Sequence, residues 1–167
     1  MVSSIVLLFF IAVVLPYFSI QSEILSHSTF SPDTAFFYTV TEFYQAMEWY
    51  GQDGRNAYIL LRWTFDVVWP IVYTSFLVSA SGALTKTKSR KTQLLVLSLP
   101  ILSVFFDFFE NILASINVGI YPIQIEFLVI FLEGISLLKW FFIGLTAFVL
   151  MYLLIQRFIA KKQVKHD

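Results

Sequence analysis

Four apolar stretches, at about residues 2–20, 57–84, 93–118 and 127–159, constrain this chain more than any other feature. Each approaches or exceeds the roughly 20 apolar residues that carry a helix across about 30 Å of hydrocarbon at about 1.5 Å per residue. In hydrocarbon every backbone N–H and C=O must be satisfied within the protein, and stretches of this length meet that demand as helices. Composition supports the same solvent: of 167 residues, 58% are hydrophobic and only 13% charged, which excludes a disordered chain or an ordinary water-soluble domain. The expected fold is therefore all-α, a polytopic membrane protein forming one domain over residues 1–167, with no internal repeat to divide it.

Eleven basic residues balance eleven acidic ones, so net charge gives no reason to expect a nucleic-acid partner, and the information lies in where the charges sit. Lys86, Lys88, Arg90 and Lys91 fall between the second and third stretches, and Arg157, Lys161, Lys162 and Lys165 in the tail. By the positive-inside rule that side is cytoplasmic, which puts both termini inside and residues 21–56 and 119–126 outside, as expected for a multi-pass protein of the cell membrane. Glu23, Asp33, Glu42, Glu48, Asp53 and Glu126 then make the outer side acidic. No Lys or Arg precedes the first stretch and no small-x-small site follows Leu15, so it reads as an uncleaved spanning helix.

Between the first two spans, Ser31, Pro32 and Asp33 supply a capping hydroxyl, a proline suited to the first helical position and an acid facing the helix dipole. These predict an amphipathic interfacial helix over about residues 32–50, ended by Gly51. Phe36, Val40, Phe43, Met47 and Tyr50 share one face, opposite Thr34, Thr41, Glu42, Gln45, Glu48 and Gln52. The polar face is acidic where a lipid-binding helix carries Lys and Arg, so packing over the ends of the bundle is expected. It would serve as a lid, or as a connector anchored at the interface by Tyr44, Trp49 and Tyr50. The segment YGQDGR, Tyr50 to Arg55, has two glycines and a base that suit an anion. It lacks a preceding strand and GxxxxGK[ST], and reads first as a helix stop and turn.

Ionisable residues at membrane depth cost at least about 2.5 kcal/mol each and are normally turned inward and paired. Tyr58, Arg62 and Asp66 are four apart, with Trp69 and Tyr73 continuing toward the cytoplasm, so Arg62 and Asp66 are expected to pair along one helix face. Pro70 removes the donor that would reach the Asp66 carbonyl and predicts a kink there. Ser103, Asp107, Asn111 and Ser115 form an i, i+4 stripe with Glu110 beside it, and DFFEN, Asp107 to Asn111, sets two carboxylates and an amide in one turn. Such a turn suits a shared proton, a cation or a ligand hydroxyl. Glu133 and Lys139 add an acid and a base that, six residues apart, point in different directions.

Counting residues from the span ends places Arg62, Asp66, Asp107, Glu110, Asn111 and Glu133 in the outer half of the bilayer and Lys139 nearer the midplane. Tyr58, Arg62, Asp66, Asp107, Glu110, Asn111 and Glu133 are thus the candidate ligand- or proton-binding residues, with Arg55, Tyr73 and Lys139 as further candidates in one outward-facing polar chamber. Four acids against two bases leave carboxylates in surplus for proton transfer or ligand binding.

YGQDGR, then Tyr58, Asp66 and Pro70 on the second span, then DFFEN on the third, resembles a pattern in a family of small bacterial four-helix integral membrane proteins. The resemblance covers about residues 31–117 and implies fold and topology but no activity. In architecture alone the chain is also similar to the sterol-isomerase and sigma-2-receptor superfamily, whose membrane helices surround an acidic pocket. The histidines that superfamily uses have no counterpart, since His27 lies in the outer loop and His166 in the tail.

The expected function is binding or transport of a small amphipathic molecule or lipid. The alternatives are proton or cation movement by a homo-oligomer, and a non-catalytic assembly factor that holds a membrane partner helix. With no Cys and no His in the bundle, neither nucleophilic catalysis nor a metal or haem site is expected, and no cofactor.

Overall fold

The computed structural model describes residues 2–18, Pro32, Ala35 and 37–163, and every regular element among them is helical. The first helix, α1 (Val2–Phe9), passes through a π-helical stretch at Phe10–Val14 and continues to Phe18. It lies along the helix Phe65–Thr85, through Phe10 stacked on Trp69 and Phe18 on Phe65, the latter with ring centroids 4.5 Å apart. Seventeen residues give about 25 Å of helix. Ile20, the expected end of the first span, lies outside the described residues.

The expected interfacial helix is shorter than residues 32–50. Residues 37–39 are not helical, and α2 (Val40–Arg62) begins after Thr39. There Thr39 Oγ1 accepts from Glu42 N (3.2 Å) while Glu42 Oε2 accepts from Thr39 N (2.7 Å), so two N–H groups at the helix start are satisfied reciprocally. The same bond from the Thr39 backbone holds the exposed Glu42 carboxyl below its ordinary pKa. This cap, rather than the expected Ser31 with Pro32 as the first helical residue, fixes where the helix starts; Ser31, Asp33, Thr34 and Phe36 lie outside the described residues. The amphipathic pattern holds from Val40 on: Phe43, Met47 and Tyr50 are buried, and Thr41, Glu42, Gln45, Glu48 and Gln52 exposed. Tyr44 and Tyr50 are also core residues rather than interfacial anchors, leaving Trp49 exposed.

Gly51 does end this first half. It sits at φ 60°, ψ −175°, a region open essentially to glycine alone, so α2 turns sharply there before continuing to Arg62. Arg55 braces the turn, donating to the Met47 carbonyl (2.8 Å) and to Gln52 Oε1 (3.0 Å) with its guanidinium 4.5 Å from the centre of the Tyr121 ring. A Cβ at Gly51 would meet no atom within 4 Å, so only backbone strain opposes a side chain. Gly51→Ala is expected to cost about 1–3 kcal/mol, read as a lowered unfolding midpoint in detergent; an unchanged midpoint would show that the turn relaxes freely.

The expected second span, residues 57–84, is broken. Trp63 (φ −99°, ψ 4°) and Thr64 (φ −119°, ψ −80°) leave helical geometry, and α3 (Phe65–Thr85) starts afresh. Thr64 Oγ1 turns back onto the Leu60 carbonyl at 2.8 Å, occupying one acceptor exposed by the break. Next come α4 (Arg90–Gly119), capped by Ser89 on Thr92 N, and α5 (Glu126–Gln163). The segment containing α2 and α3, then α4 and α5, are each long and apolar enough to cross a membrane.

Helix α4 packs along α5 on one side and α3 on the other. The main core lies at the acidic end, where Phe43, Ala46 and Met47 of α2 meet Leu113, Ala114 and Val118 of α4 and Val129, Leu132 and Ile135 of α5. Tyr44 closes it by accepting from Ile125 N at 2.7 Å. The first half of α2 thus covers the ends of α4 and α5. Phe105, Phe141, Phe148 and Met151 remain exposed on the long helices, as side chains that face lipid do.

Candidate functional site

Below that core, the polar residues of α4 draw α2, α3 and α5 into one buried layer. Arg62, at the last turn of α2, pairs with Asp66 of α3 at 3.1 Å and donates to Asn111 Oδ1 of α4 at 3.2 Å. Its guanidinium lies 4.6 Å from the centre of the Tyr58 ring, a cation–π contact in a site shielded from water. The expected Arg62–Asp66 pair therefore forms, although not along a continuous helix: the break at Trp63 and Thr64 lies between its members.

Asn111 also satisfies a second defect, one turn beyond the break. Pro70 has no N–H to return to the Asp66 carbonyl, and Asn111 Nδ2 donates to that carbonyl at 2.8 Å. One amide thus accepts from Arg62 and donates to the backbone that proline left open, using both ends of its side chain. At the exposed edge, Trp63 Nε1 donates to Ser115 Oγ at 3.0 Å, and Ser115 donates to the Asn111 carbonyl. Sequence reasoning placed Ser115 on the stripe but gave no role to Trp63, because only the break turns its indole toward α4.

Toward the basic end, Tyr73 donates to Asp107 Oδ2 at 2.7 Å, with Ser103 beside the same hydroxyl. On the other side Glu110 forms an ion pair with Lys139 of α5. Lys139 is thus level with Glu110, and Glu110 is not among the surplus carboxylates. Arg62, Asp66, Tyr73 and Lys139 meet α4 between Asp107 and Asn111, a slice about 6 Å thick lying about 12–18 Å from the acidic end of that helix.

Two expected members stand apart. Arg55 is engaged with Met47, Gln52 and Tyr121 above the layer. Glu133 is half-buried on α5, and no hydrogen bond or ion pair joins it to the layer. Leu132, Ile135, Ser136 and Lys139 form the buried face of α5 in this region, and Glu133 falls to one side of it. The layer therefore comprises Tyr58, Arg62, Asp66, Tyr73, Asp107, Glu110, Asn111 and Lys139, with Trp63 and Ser115 at its edge.

Arg62, Asp107, Glu110, Asn111 and Lys139 are all buried; Asp66 is the most open of the charged groups, its side chain 19% exposed. Among the described residues no group of acids and histidines is arranged to hold a metal ion. Chemically, the arrangement sets three carboxylates and a phenol against one guanidinium and one amine, joined by hydrogen bonds and ion pairs. No family model, curated protein or solved structure matches the chain.

Proposed function

We propose that this is a multi-pass protein of the cell membrane, with residues 2–20 as a fourth span and both termini cytoplasmic, that binds or transports a small amphipathic molecule or lipid at the polar layer. One observation carries the reading: the helix formed by α2 and α3 is interrupted at Trp63 and Thr64, at the level of the buried charges. Discontinuous helices with ionisable partners are a recurrent way to build intramembrane binding sites, and here side-chain bonds from Trp63, Thr64 and Asn111 tie the interrupted segment to its neighbours. Purely structural packing needs neither the break nor the charges, each of which costs at least about 2.5 kcal/mol to insert. The first half of α2, lying over the ends of α4 and α5, is then placed to act as a cover.

The test is mass spectrometry of lipids and small molecules retained by protein purified in nanodiscs, comparing wild type with Asp107→Asn. A species held by the wild type and lost from the folded variant supports the site and gives its ligand class. Identical retention by a variant with unchanged helicity and unfolding midpoint refutes it.

A second reading, proton or cation movement, draws on Ser81, Thr85, Ser103 and Thr146, buried hydroxyl residues between the polar layer and the basic end. It requires flux in reconstituted vesicles that Asp107→Asn reduces.

A further inference from the structure

The basic end carries a second feature that the polar layer does not use. Lys86 and Lys88 of the α3–α4 connection, with Arg90 and Lys91 in the first turn of α4, are exposed. Arg157, Lys161 and Lys162 at the end of α5 are exposed as well. These two groups are about 70 residues apart in sequence, and the fold sets them side by side: Lys88 Nζ donates to Gln156 Oε1, adjacent to Arg157, at 3.3 Å. No ion pair neutralises any of the seven among the described residues, and the sequence has no acid between Asp66 and Asp107 or between Glu133 and Asp167.

Two further facts distinguish this rim from a scatter of solvated charges. Arg90 and Lys91 sit at the positive end of the α4 dipole, where cations are disfavoured unless an anion joins them. On α5, Arg157 and Lys161 are one turn apart on the same face, while Phe158 and Ile159 beside them are exposed. Charges and apolar side chains together at a helix end match the boundary between acyl chains and headgroups, where basic side chains reach outward to phosphate.

We propose that this rim is a binding site for anionic phospholipid headgroups, held between the α3–α4 connection and the end of α5. The partner is a membrane lipid because the cations border apolar surface on the same helices, so that an acyl chain and a phosphate are accommodated together. The site is independent of the polar layer and of whatever ligand that layer takes.

Titration of the full chain in detergent with phosphatidylglycerol or phosphatidylcholine, read by native mass spectrometry, tests this. The wild type should retain phosphatidylglycerol in preference, and raised salt should weaken the preference. The triple variant Lys88→Gln/Arg90→Gln/Lys91→Gln and, separately, Arg157→Gln/Lys161→Gln/Lys162→Gln should each reduce that preference by on the order of tenfold or more. The second triple lies on exposed positions and keeps the test available where the first disturbs folding. Equal retention of the two lipids, or an undiminished preference in a folded triple variant, overturns the proposal. So does displacement of the lipid by millimolar inorganic phosphate, which would make this a site for a soluble anion.

Discussion

Replacing Arg62 by Ala is expected to lower stability by about 3–5 kcal/mol, because the half-buried Asp66 carboxylate and the buried Asn111 carbonyl oxygen lose their shared donor in a site that water does not readily fill. The Tyr58 ring loses its cation at the same time. Arg62→Lys should recover only part of this, since an ammonium keeps the charge but lacks the planar fork that reaches Asp66 and Asn111 together. Titration with sodium dodecyl sulfate in mixed micelles, followed by circular dichroism, measures both variants. A loss below about 1 kcal/mol for Arg62→Ala would mean that the residue is solvated and that the layer is not closed around it.

Breaking the Glu110–Lys139 pair should show the second large effect, in a form that separates burial of charge from the worth of the pair. Glu110→Gln or Lys139→Met alone strands the opposite charge between α4 and α5 and is expected to cost about 3–5 kcal/mol. The double variant should be less destabilised than the sum of the two by at least about 2 kcal/mol, since removing both charges also removes the cost of burying them. Additive losses would show that each residue acts through different partners. Were the double variant as stable as the wild type yet unable to retain a ligand, the pair would be kept for function at no structural advantage.

The polar layer was legible in sequence to the extent that helical periodicity governs it. The i, i+4 stripe on α4 requires Asp107 and Asn111 to face one way, and the cost of exposing them to lipid makes that way inward. Pro70 even marked the Asp66 carbonyl as an acceptor in need of a donor. Which donor arrives could not be read, because Asn111 reaches it from a different helix, 45 residues away. The partner of Glu110 was hidden for the same reason.

Pro70 pointed to a kink at Asp66, but nothing in the sequence marked a full break at Trp63 and Thr64. Neither residue is Gly or Pro and both tolerate a helix; the polar dip around them, Arg62 to Asp66, reads equally well as an ion pair along one continuous helix. The break is stabilised by contacts made after folding: Arg62 and Trp63 are held by Asn111 and Ser115, and Thr64 caps its own preceding turn. The start of α2 was misplaced for a more local reason. The expected cap was Ser31 with Pro32 as the first helical residue, whereas Thr39 and Glu42 satisfy two donors at once and start the helix at Val40.

Sequence by itself determined the helical class, the long apolar stretches able to cross a membrane, the inward faces of the long helices and the segregation of acidic from basic ends, because each follows from length, period and charge counted along one chain. Tertiary structure decided where the second long segment breaks, which charges meet, and that Arg55 and Glu133 stay outside the layer. Pairing across helices depends on relative rotation and depth, and those are set by the packing of Phe43, Met47, Val118 and Leu132 at the acidic end rather than by any spacing within a single helix.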